Sequence, residues 1–169
     1  MNAGAQEMRR ANLAAVVGLI ADHGPRSRAR LALETGLSRA TVSSLVTELI
    51  ELRLLTETGQ DEHPGAVGRP AQTMDLSRQG VGAVGLEIGV GHLSVIAVDL
   101  TGADLLYERH ASPNDELTPE EALERLAPLA HRAVAAAVSG DRTLAGVVVS
   151  VPGLVDVGTG SVILAPNLG

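Results

Sequence analysis

The chain has 169 residues, 45% of them hydrophobic, with no Cys, Trp or Phe and a single Tyr, Tyr107. It can therefore bury the core of one domain or two small ones. Disulfides, thiolate metal sites and thiol nucleophiles are excluded, and the lack of aromatic rings counts against single-strand or RNA binding by base stacking. The net charge of −7 belongs to the second half: residues 1–80 hold nine Arg against nine acids, residues 81–169 four Arg against eleven. Such a balance leaves room for a local basic face.

Leu13, Val16, Val17 and Ile20 recur at i, i+3, i+4, i+7 and predict an amphipathic helix over roughly 9–22, ended by His23-Gly24-Pro25. Ser27 can cap a short second helix whose apolar content is Leu31, Ala32 and Leu33, broken at Gly36. Ser38 can cap a third, with Val42, Leu45, Val46 and Leu49 on one face. Two short strands, 54–58 and 71–76, flank a polar Gly/Pro loop over 59–70 and make a β-hairpin, the wing. Residues 78–81 read as a linker between a domain over 1–77 and a second over 82–169.

In the second domain the apolar period changes to two. Val84, Leu86, Ile88 and then Leu93 to Leu100 read as strands turned at Gly89-Val90-Gly91, with a third at 105–109 after Thr101-Gly102. Thr118-Pro119-Glu120-Glu121 carries a helix-start signature: Thr at the cap, Pro in the first turn and Glu three after the cap. That helix should run to Ser139, kinked at Pro128. The apolar run 144–151 predicts a strand covered on both faces. The remainder reads as loop with one short strand at 161–164. His92, His110 and His131 lack metal-ligand spacing, and Asp99 and Asp156 sit near turns.

The segment 28–47 has the parts of a helix-turn-helix. Ala32 is small where the helices must cross, Gly36 can adopt the left-handed turn, and Leu37 plugs the core. With Val42 and Leu45 inward, Ser38, Arg39, Thr41, Ser43, Ser44 and Thr47 point outward, all polar and none acidic. A face of Arg and hydroxyls suits the major groove, where Arg can bridge guanine O6 and N7. Arg28 belongs to the basic stretch 26–39, which holds four Arg against Glu34. In the wing, Arg69 between Gly68 and Pro70 is shaped to enter a narrow minor groove. Duplex DNA is the expected partner. The absence of a signal peptide and of any apolar run of roughly 18–20 residues implies no membrane and a cytoplasmic location.

SRARLALETGLSRATVSSLVTELIELRLL, the wing GRP, VGLEIGVGHLSVIAVDLTG and VVVSVPGLVDVGTGSVILAPNLG together resemble the ROK family (repressors, open reading frames and kinases) over nearly the whole chain. The resemblance implies a winged helix-turn-helix followed by the partial first lobe of an α/β actin-like, ribonuclease H-like ROK domain. It also implies a repressor working as a homodimer, with a sugar or sugar phosphate as effector and Gly153 and Asn167 flanking it. The family's kinases open with an Asp-x-Gly-Gly-Thr turn that cradles ATP; here Glu87-Ile88-Gly89-Val90-Gly91 lacks the second Gly and the Thr. The family's catalytic Asp, its zinc-binding cluster and most sugar ligands would lie beyond residue 169. We therefore expect no enzyme activity, no cofactor, no metal, a weakened dimer, a poorly packed second half and no sugar response. The competing readings are a fragment of a ROK sugar kinase with a DNA-binding head, and a helical module for a protein partner.

Overall fold

Helix α1 spans Ala3–His23, starting six residues earlier than the apolar stripe predicts. Only Val16 and Ile20 are buried, with Leu13, Val17 and Leu19 packed beside them. Its first turns are exposed and carry no periodicity to read. The computed structural model describes residues 3–60 and 72–168. They divide into two compact units at Gly80–Val81; of the expected linker 78–81, Val81 already opens a strand.

In the first unit a two-residue strand β1 (Arg26–Ser27) leads into α2 (Arg28–Thr35) and α3 (Arg39–Glu51). The wing strands are β2 (Leu55–Gln60) and β3 (Gln72–Leu76), and the sheet order is β1-β3-β2, antiparallel throughout. β1 was not expected from the sequence, since two residues carry no periodicity. β2 runs past Thr58 through a register shift to Gln60. Val16, Ile20, Leu31, Val42, Leu45, Val46, Leu49, Leu55 and Met74 form the core. Leu33 departs from expectation: at 78% exposed it adds nothing to that core. It sits two residues from Leu31, and helical spacing places such neighbours on different faces.

The second unit is a four-stranded sheet in the order β6-β5-β4-β7, with β4 Val81–Gly89, β5 His92–Asp99, β6 Asp104–Ala111 and β7 Thr143–Ser150. β7 joins β4 in parallel through α4 (Pro119–Val138). Thr118 caps α4 in a complete capping box with Glu121, and the Thr118 amide, donating to Glu121, holds that carboxyl below its usual range. α4 continues through Pro128 as one helix. Pro128 lies on its exposed face, where water can serve the carbonyl that loses its donor. Leu126, Leu129, Ala133 and Ala137 of α4 pack on Val84, Leu86, Ile88, Leu93, Val95 and Ala97. This face is well packed.

The strand expected to be covered on both faces, β7, is instead exposed along nearly its whole length, with Val148 at 71%. It is the sheet edge opposite β6, paired with β4, and α4 touches it without covering its exposed residues. Its apolar composition signals a strand that wants covering, and composition cannot say what supplies the cover. A small antiparallel ribbon follows, β8 (Leu154–Asp156) and β9 (Ser161–Leu164); β9 was expected and β8 was not. Asp99 and Asp156 each close a turn, accepting from the amides of Thr101 and Gly158 at 2.9 and 2.8 Å.

The β4–β5 turn is fastened by the segment after β6. Asn114, 1% exposed, donates through Nδ2 to the carbonyls of Gly89 (2.6 Å) and His92 (3.0 Å). The amides of Asn114 and Ser112 donate to Val90 and Gly91 at 2.8 and 3.1 Å. Removing the Asn114 side chain takes a buried donor from both carbonyls, a loss of about 1–3 kcal/mol. Asn114→Ala is expected to lower unfolding free energy by that order in denaturant titrations and to speed amide exchange in residues 89–92.

Between β6 and α4, Arg132 donates to both Glu108 oxygens at 3.0 and 2.6 Å, and His110 lies 2.9 Å from the same carboxylate. Arg132 first, then His110, lowers the Glu108 pKa from 4.5 to about 2. A depressed carboxylate stabilises the fold above its unfolded pKa and loses that contribution as pH falls through the folded value. Stability measured by thermal melts is expected to drop between pH 4.5 and about 2. Arg132→Ala is expected to flatten that drop, with only a small effect at neutral pH because the pair is exposed.

Candidate nucleic-acid interface

Two serines set the geometry of the helical pair. The Ser27 hydroxyl accepts from the Arg30 amide at 3.4 Å and starts α2, while its backbone pairs with Thr73 of the wing. Gly36, at φ 71, makes the left-handed end of α2. Thr35 bridges the corner, donating to the Leu31 carbonyl at 2.6 Å and accepting from the Leu37 amide at 3.3 Å. Ser38 then caps α3, accepting from the Thr41 amide at 3.1 Å. Leu37 is half-buried against the core, as its place in the turn predicts.

The expected inward residues Val42 and Leu45 are buried, with Val46 and Leu49. Outward, Ser38, Arg39, Ser43, Ser44 and Thr47 are exposed and Thr41 is half-buried. They are not equally available. The Ser38 and Thr41 hydroxyls lie 2.8 Å apart and serve the cap, and Thr47 donates to the Ser43 carbonyl at 2.9 Å. Arg39 and the hydroxyls of Ser43 and Ser44 have no hydrogen-bond partner among the described residues. Acids stand at the far end of α3, where Glu48 is ion-paired with Arg9 of α1.

The basic stretch is partly neutralised. Arg26 and Arg30 share Glu34 at 3.1 and 2.6 Å, and Arg30 first among them pulls the Glu34 carboxyl below its usual range. Arg28, near the start of α2, pairs with Glu57 of β2 at 3.2 Å. Sequence reasoning missed the Glu57 and Arg9 contacts, since partners 29 and 39 residues away leave no local signal. It also missed Gln72, which joins Arg28, Arg39 and Ser43 around one notch. Arg69, the expected minor-groove residue, lies outside the described residues.

In the second unit, the turn matching the kinase phosphate loop is filled by its own chain. A Cβ on Gly89 would meet the His92 ring at 2.2 Å, so the imidazole lies against the glycine backbone. Glu87 accepts from the Ser94 hydroxyl at 2.7 Å, which with His92 at 3.2 Å holds its carboxyl low. His92 Nε2 is buried without a well-aligned hydrogen bond among the described residues. Gly153 is pressed against β9, where an added Cβ would meet the Leu164 carbonyl at 2.4 Å, and Asn167 is exposed. Neither lines the nearby cavity of about 510 Å³, whose walls are mainly apolar: Leu117, Leu123, Val151, Val162 and Leu168 among them. Among the described residues no helix is long and apolar enough to cross a membrane.

Residues 14–63 match the MarR family. The xylose repressor of Bacillus subtilis (strain 168) is 32% identical over 138 residues, covering 81% of this chain and 35% of that protein. The DNA-binding transcriptional dual regulator NagC of Escherichia coli (strain K12) is 28% identical over 165 residues, 95% of this chain and 39% of that one. A solved ROK family transcriptional regulator, described as a homolog of the E. coli MLC protein, superposes with a TM-score of 0.68 at 26% identity, over 95% of this chain and 40% of its own. The chain thus spans about two-fifths of the length of the relatives it matches. In sequence and fold it is similar to ROK family transcriptional regulators over the part of them that it spans, with a MarR-type winged helix followed by part of the first actin-like lobe.

Proposed function

We propose that this chain is a sequence-specific double-stranded DNA-binding transcriptional regulator, a repressor of the ROK type. The observation that carries the reading is the outward face of α3. From Arg39 to Thr47 it is exposed, polar and free of acid, and it is held by a Gly36 turn beside a wing. A recognition helix needs this surface to enter the major groove without repelling phosphate. In this reading Arg28, Ser38, Arg39, Thr41, Ser43, Ser44 and Thr47 face DNA, and Arg69 reaches the adjacent minor groove.

One winged helix touches few base pairs. A homodimer on two half-sites about 34 Å apart, or a multiple, supplies the missing specificity. The names of the xylose and N-acetylglucosamine repressors support a sugar or sugar phosphate as effector, with Gly153 and Asn167 as its proposed neighbours. The chain acts as a regulator and not as a kinase, a reading supported by the self-filled Gly89 turn, where the His92 ring stands in the way of a phosphate. A DNA partner places it in the cytoplasm.

Labelled duplex from the DNA upstream of its own gene is expected to bind more tightly than a scrambled duplex. Affinity should fall with salt at a log–log slope of about −0.9 per phosphate neutralised. Ser44→Glu, which puts a carboxylate on the exposed face of α3, is expected to weaken binding by at least about tenfold, near 1.4 kcal/mol, with an unchanged melting temperature. Salt-insensitive binding, or full affinity in the Ser44→Glu variant, rejects α3 as the DNA-reading element.

A further inference from the structure

The faces of α2, α3 and β3 converge on a notch of about 330 Å³ lined by Arg28, Ala29, Arg39, Ser43 and Gln72. The polar groups come from three separate elements, and all four side chains can donate hydrogen bonds. Among the described residues no carboxylate lines it. Arg28 already answers Glu57 at 3.2 Å through one of its nitrogens, so its remaining N–H groups stay available while its charge is balanced. Arg39 has no ion pair among the described residues. The notch therefore carries one uncompensated positive charge.

We propose that this notch seats one backbone phosphodiester of duplex DNA, held by Arg39 and Gln72 with Arg28 and Ser43 beside it. Arg39 then sets the register of the protein on the duplex and does not read guanine. The inference rests on the DNA-binding reading above. Shape supports it: base edges are met by the convex ridge of a recognition helix, whereas Arg39 stands at the first residue of α3, in a concave seam shared with α2 and the wing. A protruding phosphate fits a seam. Charge supports it too, since a diester carries a single negative charge, matching the one free guanidinium, whereas a free phosphate dianion would be under-neutralised. A guanidinium fork with an amide beside it presents several N–H donors to non-bridging oxygens. Phosphate contacts of this kind position a protein and carry no sequence information.

The test compares wild type, Arg39→Ala and Gln72→Glu on the upstream duplex and on a scrambled duplex, across a salt series, with melting curves to show that each variant is folded. Both variants are expected to lose about tenfold or more on the two duplexes alike, keeping their ratio. Arg39→Ala should also reduce the salt slope by about 0.9, one phosphate. If Arg39→Ala lowers affinity for the upstream duplex alone, Arg39 is a base reader and the seat is overturned. Unchanged affinity in Gln72→Glu overturns it equally. Inorganic phosphate at matched ionic strength should compete no better than chloride; saturable competition that disappears in Arg39→Ala would mark a free-oxyanion site and defeat the diester assignment. A wild type that binds neither duplex removes the regulator reading together with the seat, whereas unaffected variants of a binding wild type remove the seat alone.

Discussion

The pairing of Arg26 and Ser27 with Met74 and Thr73 is the constraint on which the first unit depends. Ser27 has two duties. Its backbone is a strand residue in the wing sheet, and its hydroxyl is the cap that starts α2. One residue therefore locks the start of the helix-turn-helix to the middle strand of the wing. Met74, opposite Arg26 and fully buried, turns that pairing into core packing. Burial of a side chain of this size is worth roughly 1.5–3 kcal/mol, so the lock is held by apolar burial as well as by backbone hydrogen bonds. The notch between α2, α3 and β3 is a consequence: Arg28, Arg39 and Gln72 share a wall because the strand carrying Gln72 is tied to the residue before Arg28.

Electrostatics in the same region follow from tertiary placement. Counting charges along residues 26–39 suggests a strongly basic face, yet Glu34 draws in two of the four arginines and Glu57 meets a third. These exposed pairs add little stability. Their effect is to leave Arg39, at the seam, as the one arginine of this stretch with no carboxylate partner among the described residues. A chain of net charge −7 can thus present a small cationic site without a basic domain.

The second unit is organised around β4, which pairs with β5 on one side and β7 on the other. Its Val84, Leu86 and Ile88 meet α4, and the turn at its end is fastened by Asn114 and filled by His92. A turn whose carbonyls are engaged from one side, and whose glycine is covered by its own imidazole from another, is a structural corner. Glu87 in place of a shorter acid is accounted for in the same way, by the Ser94 hydroxyl on the opposite strand. β7 and the β8–β9 ribbon, by contrast, leave Val148, Val157 and Ile163 exposed.

Much of this was legible in the sequence because it is local. Ser27, Gly36 and Ser38 announce a helix–turn–helix through capping and a left-handed turn. Val42, Leu45, Val46 and Leu49 announce the buried face of α3 through period, and Thr118 with Glu121 announces α4 through a capping box. The winged helix and the motifs of the second unit were likewise readable as a family pattern. Contacts between residues far apart in the chain were not: β1 is too short to have a period, Glu57 reaches Arg28 across 29 residues, and Gln72 gains its place at the notch only through the β1–β3 register. Leu33 and β7 show the converse. Apolar character states that a side chain can be buried, and only the arrangement of neighbouring elements decides whether it is. The sequence by itself determined the helices, their caps and the polar face of α3, since each depends on spacings of four residues or fewer. Tertiary structure alone decided which arginines stay free and which strand stays uncovered, because both depend on partners that the chain brings together only when it folds.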